Sequence, residues 1–292
     1  MGAWQLGNGA WGNLSSEECL QMLSFALDHG CSFFDTAPGY AGGHSEEVLG
    51  KAFAKKRDQV VLCTKFGHTP DGRSDFGVDQ IRPAIEGSLQ RLQTDYLDVL
   101  LLHNPPSELL EADAPHYSEL EALKQEGKIR AYGASVDWSA DLQKVAGTSS
   151  QAAEVLFNAF HQEPKLAFET ASSHGVGLIV KVPLDSGWLG GRYDSESSFS
   201  GVRDRWSPEV ISRRSALLNQ LKAMIPTHVT IAQAALAFVL SRQEVSTVIP
   251  GAKSIEQLSA NLSASDVTLS PEIIAGIEAL WKTELAHDPL PW

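Results

Sequence analysis

The sequence predicts a single-domain α/β protein built as a (β/α)8 TIM barrel, and three observations predict it. Apolar runs of strand length alternate with helix-period segments along all 292 residues. Counting from GAWQLG, eight such strands can be read. Their apolar runs are unbroken rather than alternating, which suits parallel strands covered on the outside by helices. A chain of this length is ordinary for one such barrel. An open doubly wound sheet would want a glycine-rich phosphate loop after its first strand, and GNGAWG lacks the GxGxxG spacing.

The elements follow in order. SSEECLQMLSFALDHG opens with Ser15 and Glu18 in capping-box spacing and places Leu20, Leu23 and Leu27 on one helical face. Gly30 ends it, and CSFF is a short strand. HSEEVLGKAFAKK predicts a helix and VVLCTKF a strand. VDQIRPAIEGSLQRL sets Ile81, Ile85, Leu89 and Leu92 at helical spacing, with Pro83 in the first turns. LDVLLLHNPP, IRAYGAS, AEVLFNAF, GLIVKVPL and VSTVIPG are the later strands; HYSELEALKQEG, PKLAFETASSHG, IAQAALAFVLSR and SIEQLSANL are the helices between and after them. Two segments fall outside the repeat: a long loop over 187–229 after the seventh strand, and a tail over 263–292. Both are expected over the barrel mouth.

Composition narrows the function. Hydrophobic content of 43% and charged content of 20% describe a globular protein with a sizeable core. There is no run of eighteen apolar residues and no basic segment leading an apolar one at the N-terminus, so neither a membrane span nor a secretory signal is expected. Cys19, Cys31 and Cys63 have no CxxC spacing and read as reduced thiols of a cytoplasmic protein. A net charge of −13 argues against a nucleic-acid partner and requires any anionic cofactor to find basic residues gathered locally.

Polar residues end the apolar strands: Asp35, Lys65, His103, Ser135, Asn158 and Lys181. Active sites of such barrels sit at that face. A lone histidine after an apolar run is more often a hydrogen-bonded structural residue; six polar strand ends together read as a site. Asp35, Tyr40, Lys65 and His103 are also what proton-coupled hydride transfer needs. A free tyrosine titrates near ~10, and a lysine ammonium beside it is expected to lower that value. Asp35 would hold the lysine, and His103 would hydrogen-bond a substrate carbonyl.

FDTAPGY, TKFG, LLHNP, GAS, LFNAF, VPLDSGWLGGRY and VIPGAKSIEQLSANL resemble, in order and spacing, the aldo-keto reductases. The resemblance implies an NADP(H)-dependent enzyme with a small carbonyl or alcohol substrate, in which Tyr40 supplies the proton. It implies that Ser135 and Asn158 lie near the nicotinamide carboxamide. Leu184, Ser186 and Gly187 would meet the pyrophosphate, and Gly251, Lys253, Gln257 and Asn261 the adenosine end. The loop VIPGAKS before a helix N-terminus suits phosphate on physical grounds as well. Trp4 and Trp188 are expected to wall the substrate pocket, with Gln5, His161, His287 and Trp292 as further candidates. Some relatives are cofactor-binding subunits without catalysis, which is the competing reading. A metal site built on Asp35, His103 and His161 is disfavoured because no HxH pair stands on one strand.

Departures from the family pattern are informative. Lys181 stands where many members stack a tyrosine on the nicotinamide, and Glu154 stands where a glutamine commonly binds the carboxamide. A direct Glu154–Lys181 ion pair is expected to reconcile them. Gln257 and Ala260 replace charged residues at the adenosine end, which leaves NAD(H) open. Lys253, with Arg203 and Arg205 in the long loop, favours NADP(H).

Overall fold

The computed structural model describes residues 1–7, 14–199 and 204–291. In chain order the elements are α1 (Ser16–Asp28), β1 (Phe33–Asp35), α2 (His44–Phe53), β2 (Val61–Phe66), α3 (Ile81–Leu92), β3 (Leu97–His103), α4 (Pro115–Gln125), β4 (Ile129–Val136) and α5 (Ser139–Ala146). The second half comprises β5 (Ala152–Leu156), α6 (Phe168–Ser173), β6 (Gly177–Lys181), α7 (Pro208–Met224), α8 (Ile231–Leu240), β7 (Val245–Val248), α9 (Ile255–Leu262) and α10 (Pro271–Glu284). The capping box expected at α1 is present: Ser15 Oγ accepts from the Glu18 N–H, and the Glu18 carboxylate accepts from the Ser15 N–H.

Seven parallel strands pair in sequence order, β1 to β7. The eighth stave is one residue long. Gly2 bridges Asp35 on one side and Gly251 on the other, in parallel sense, and so joins the two edges. Asp35 N–H donates to the Met1 carbonyl at 3.0 Å, Ala3 N–H to the Asp35 carbonyl at 2.8 Å and Gly2 N–H to the Pro250 carbonyl at 3.1 Å. The strand expected over 2–7 therefore shrinks to Gly2, because the chain turns at once: the Leu6 N–H closes on the Ala3 carbonyl. A Cβ on Gly2 would lie 2.8 Å from the Ile249 carbonyl oxygen, so this closure needs glycine.

The core has two layers. Outward strand residues pack under the helices in the larger cluster, while Cys63, Val99, Leu101, Ala152, Ile179 and Ile249, with Phe33 against them, fill the barrel interior. The interior is tight. A Cβ on Gly133 in β4 would fall 1.7 Å from the Ala152 carbonyl oxygen of β5. Gly133→Ala is expected to lower stability by about 1–3 kcal/mol through forced backbone shifts, read as a lower urea midpoint. An unchanged midpoint would show that the strands can part without cost.

The tail packs on α7. Arg213 donates to the carbonyls of Glu284 and Asp288, and Arg214 to that of Pro291, which fasten the tail to α7. No described tail residue lines the cavity described below. No helix among the described residues is long and apolar enough to cross a membrane.

Candidate active site

Side chains two apart on a strand share a face. The inner apolar layer therefore dictates what stands above it: Asp35 over Phe33, Lys65 over Cys63, His103 over Leu101, Glu154 over Ala152 and Lys181 over Ile179. Ser135 completes the ring, in register with His103 and Glu154. The result is a polar floor at the C-terminal end of the barrel.

Lys65, 1% exposed, lies at its centre. Its Nζ donates to Asp35 Oδ2 at 2.5 Å and to the Thr36 carbonyl at 3.1 Å, and stands 3.2 Å from Glu154 Oε2. Glu154 Oε1 accepts from Ser135 Oγ at 2.9 Å. Lys181 Nζ donates to Ser135 Oγ at 2.7 Å and to Asn104 Oδ1 at 2.9 Å, and pairs with Asp137 Oδ1 at 2.8 Å. The direct Glu154–Lys181 pair expected from the sequence is thus replaced by a relay through Ser135. Glu154 takes Lys65 as its cation, and Lys181 takes Asp137.

Tyr40 rises over this floor from a turn, Tyr40–Gly43, in which Ala41, Gly42 and Gly43 have φ of 50°, 65° and 94°. The centroid of its ring is 5.4 Å from Lys65 Nζ and 6.1 Å from the rings of both His103 and Trp4. Other left-handed residues crowd the same rim: Asn104 (φ 48°), Val182 (φ 53°), Asp185 (φ 46°) and Ser186 (φ 53°). Each such conformation costs on the order of 1–3 kcal/mol, and such strain gathers at functional sites.

Charge is distributed unevenly. Burial and the neighbouring Glu154 push the Asp35 carboxyl up to about 7, against the pull of Lys65. Burial also acts to raise Glu154, but Lys65 and Lys181 together draw it down to about 2. The expected lowering of Tyr40 is not found. Burial raises the phenol above its usual range, Asp35 and Glu154 add to that, and the opposing pull of Lys65 does not offset them. Burial, then Lys65, drives the His103 imidazole well below the usual histidine range, so its ring is neutral.

A cavity of about 860 Å³ runs from this floor across the mouth. Asp35, Tyr40, His103, Glu154 and Lys181 line one end, with Trp4 and Gln5 as wall. Leu184, Ser186 and Gly187 also line it, and Gly187 continues the left-handed turn with φ 96°. Gly251, Lys253, Gln257 and Asn261 line it as well. Gln257 Oε1 accepts from the Lys253 N–H at 3.0 Å, and Asn261 Nδ2 donates to the Gly251 carbonyl at 3.2 Å.

Other expected residues lie elsewhere. Lys65 and Ser135 sit beneath the lining. Asn158 is fully buried beyond β5, where its side chain bonds the Val182 carbonyl and the N–H groups of Phe160 and His161. It shapes a turn, and Glu154 is the residue of that strand which reaches the cavity. Trp188 is not a pocket wall. It is fully buried among Tyr193, Phe199 and Trp206, with centroids at 5.5, 5.7 and 6.1 Å, because the aromatics of the long loop pack on one another. His161 Nε2 lies 3.1 Å from the Asp137 carbonyl, and His287 is exposed and off the lining. Arg205 stands 5.4 Å from the Trp206 ring, while Arg203 and Trp292 lie outside the described residues.

Sequence reasoning missed Arg192, Tyr193 and Thr230, which also line the cavity. Thr230 carried a signal, the capping box Thr230–Gln233 that opens α8. Asp35, Cys63 and Glu154 are the one grouping of metal-type donors among the described residues. Its centre already holds the Lys65 ammonium, and neither histidine of the imagined metal site belongs to it.

The profile described as the Aldo/keto reductase family matches residues 1–282. Aldo-keto reductase str7 of Strobilurus tenacellus is 32% identical over 96% of this chain and 86% of its own. A probable voltage-gated potassium channel subunit beta of Oryza sativa subsp. japonica is 31% identical over 94% of this chain and 92% of its own. Among solved structures, aldo-keto reductase AKR11C1 from Bacillus halodurans (holo form) superposes with a TM-score of 0.81 at 27% identity, over 99% and 93% of the two chains. An aldo/keto reductase from Klebsiella pneumoniae in complex with NADP and acetate gives 0.71 at 29% identity, over 96% and 90%.

Proposed function

We propose, from the premise that this chain belongs to the aldo/keto reductase family, that it is an NADP(H)-dependent oxidoreductase acting on the carbonyl of a small aldehyde, ketone or sugar, with Tyr40 as general acid. The observation that carries this reading is the convergence of Asp35, Tyr40 and His103 on the lining of one cavity, with Lys65 beneath them and Lys253 on the same lining.

The cavity fits a dinucleotide phosphate. Its lining includes a left-handed turn at Ser186 and Gly187, and Arg192 and Lys253 bring cations to it in a chain of net charge −13. When bound, the nicotinamide supplies the hydride. The protein's part is to hold the carbonyl oxygen between Tyr40 and His103. The neutral His103 ring offers one N–H, and Tyr40, protonated, gives up its proton as the oxygen gains charge. Lys65 then balances the phenolate until solvent restores the proton. Asp35 and Glu154 keep that ammonium from being an uncompensated buried charge.

Fluorescence titration with NADPH and NADH, followed by a carbonyl panel including 4-nitrobenzaldehyde, tests this reading. Lys253→Met is expected to weaken NADPH about tenfold, worth about 1.4 kcal/mol, and to leave NADH unchanged. Equal losses for both would remove Lys253 from 2′-phosphate recognition. A second reading, a cofactor-binding subunit without catalysis, is favoured by the likeness to the rice channel subunit. NADPH binding with no turnover across the panel would select it.

A further inference from the structure

Glu154 is a second buried carboxylate on the lysine that serves the proton donor. An ammonium has three hydrogens to give. Two of those on Lys65 go to Asp35 Oδ2 at 2.5 Å and the Thr36 carbonyl at 3.1 Å. Glu154 Oε2 stands 3.2 Å from the same nitrogen yet accepts no aligned hydrogen bond from it, and the Asp35 carboxyl is its other close neighbour. Two groups lie within reach of the third hydrogen: that oxygen at 3.2 Å, and the Tyr40 hydroxyl, which interacts with Lys65 and whose ring lies 5.4 Å from the nitrogen. Glu154 is held in this position by Ser135, which is held in turn by Lys181.

The groups facing Tyr40 come from several strands: Asp35 from β1, Lys65 from β2, His103 from β3 and Glu154 from β5, with Cys63 in the layer beneath Lys65. His68 abuts His103 at 4.8 Å, and Lys181 of β6 is turned toward Ser135 and Asp137. Two carboxylates thus share one ammonium on this floor, and a phenolate would add a further negative charge beside them.

We propose that Glu154 is a positioning residue that competes with Tyr40 for the last ammonium hydrogen of Lys65 and so keeps the phenol protonated. This deepens the reductase reading and rests on it for its meaning in catalysis. The contact itself is testable without turnover. Tyrosinate absorbance is titrated in the protein and in Tyr40→Phe, the difference isolating Tyr40, and the pair is repeated with Glu154→Gln. The Tyr40 component is expected to ionise at least about one pH unit lower in Glu154→Gln, with a smaller shift in Glu154→Asp, which also serves should the glutamine variant fail to fold. An unmoved component in both variants overturns the proposal.

In kinetics, the alkaline fall of kcat/KM for 4-nitrobenzaldehyde reduction is expected to move down by the same interval in Glu154→Gln. A fixed alkaline limb alongside active wild type overturns the proposal, whereas wild type that binds NADPH and reduces nothing overturns the reductase reading and leaves the spectroscopic result to judge Glu154.

Discussion

Tyr40→Phe is expected to lower kcat for carbonyl reduction by about 10²–10⁴-fold, equivalent to about 3–5 kcal/mol of barrier, with NADPH affinity unchanged. The size follows from the lack of a substitute. Lys65 is committed to Asp35, Thr36 and Glu154, and the half-buried His103 ring is neutral and a weak acid. The phenol is raised above its usual range by burial, so its acid form persists through alkaline pH. The unmodified protein should therefore keep its acid through neutral pH, where Asp35 at about 7 is the titrating neighbour, and lose reduction in the alkaline range as the phenol begins to ionise. Alcohol oxidation, which needs the base form, should climb over the same range. Initial rates with 4-nitrobenzaldehyde and its alcohol measure both limbs. Undiminished reduction by Tyr40→Phe would remove the phenol from the chemistry.

Arg214→Met is expected to cost about 3–5 kcal/mol of folding stability. Arg214 and Asp185 are 1% and 2% exposed and form a buried ion pair. The guanidinium also donates to the Pro291 carbonyl at 3.0 Å and lies 4.9 Å from the Trp206 ring. One side chain therefore joins the left-handed turn at the cavity, the long loop and the tail. Removing it strands a carboxylate in the interior, and burial already pushes that carboxyl up. With the folded value raised above the unfolded one, the deficit should be smallest in acid, where both states carry the proton, and grow as pH rises toward the folded value. Urea unfolding at several pH values reads this, with the midpoint falling and the slope unchanged. Combining Arg214→Met with Asp185→Asn should recover much of the loss, since an uncharged pair is tolerated where a lone charge is not. A loss below about 1 kcal/mol for the single variant would mean the pair is solvated. Because Asp185 begins the turn that carries Ser186 and Gly187, weaker NADPH binding should accompany the lost stability.

What the sequence determined by itself was local and periodic. The helix faces and the unbroken strands pointed to parallel strands buried on both sides, and the missing GxGxxG spacing favoured the barrel over an open doubly wound sheet. Asp35, Lys65, His103 and Lys181 were legible because each ends an apolar run, and a strand end in a barrel has only one place to point. Tyr40 and the Lys253 loop came from motif spacing. The tertiary structure decided whatever depended on facing and partnership. Period-two alternation gives Glu154 and Asn158 the same face, and what separates them is that β5 ends at Leu156, so that Asn158 folds into a turn while Glu154 stands in register with Ser135. Trp188 reads as a pocket aromatic in a glycine-rich loop, but it packs on aromatics that its own loop brings back to it. The choice of Lys65 over Lys181 by Glu154, and the first strand's reduction to Gly2, were settled across the barrel by distances of a few ångströms between residues far apart in the chain. Proximity of that kind leaves no local pattern, because each partner alone is only a charge or a glycine.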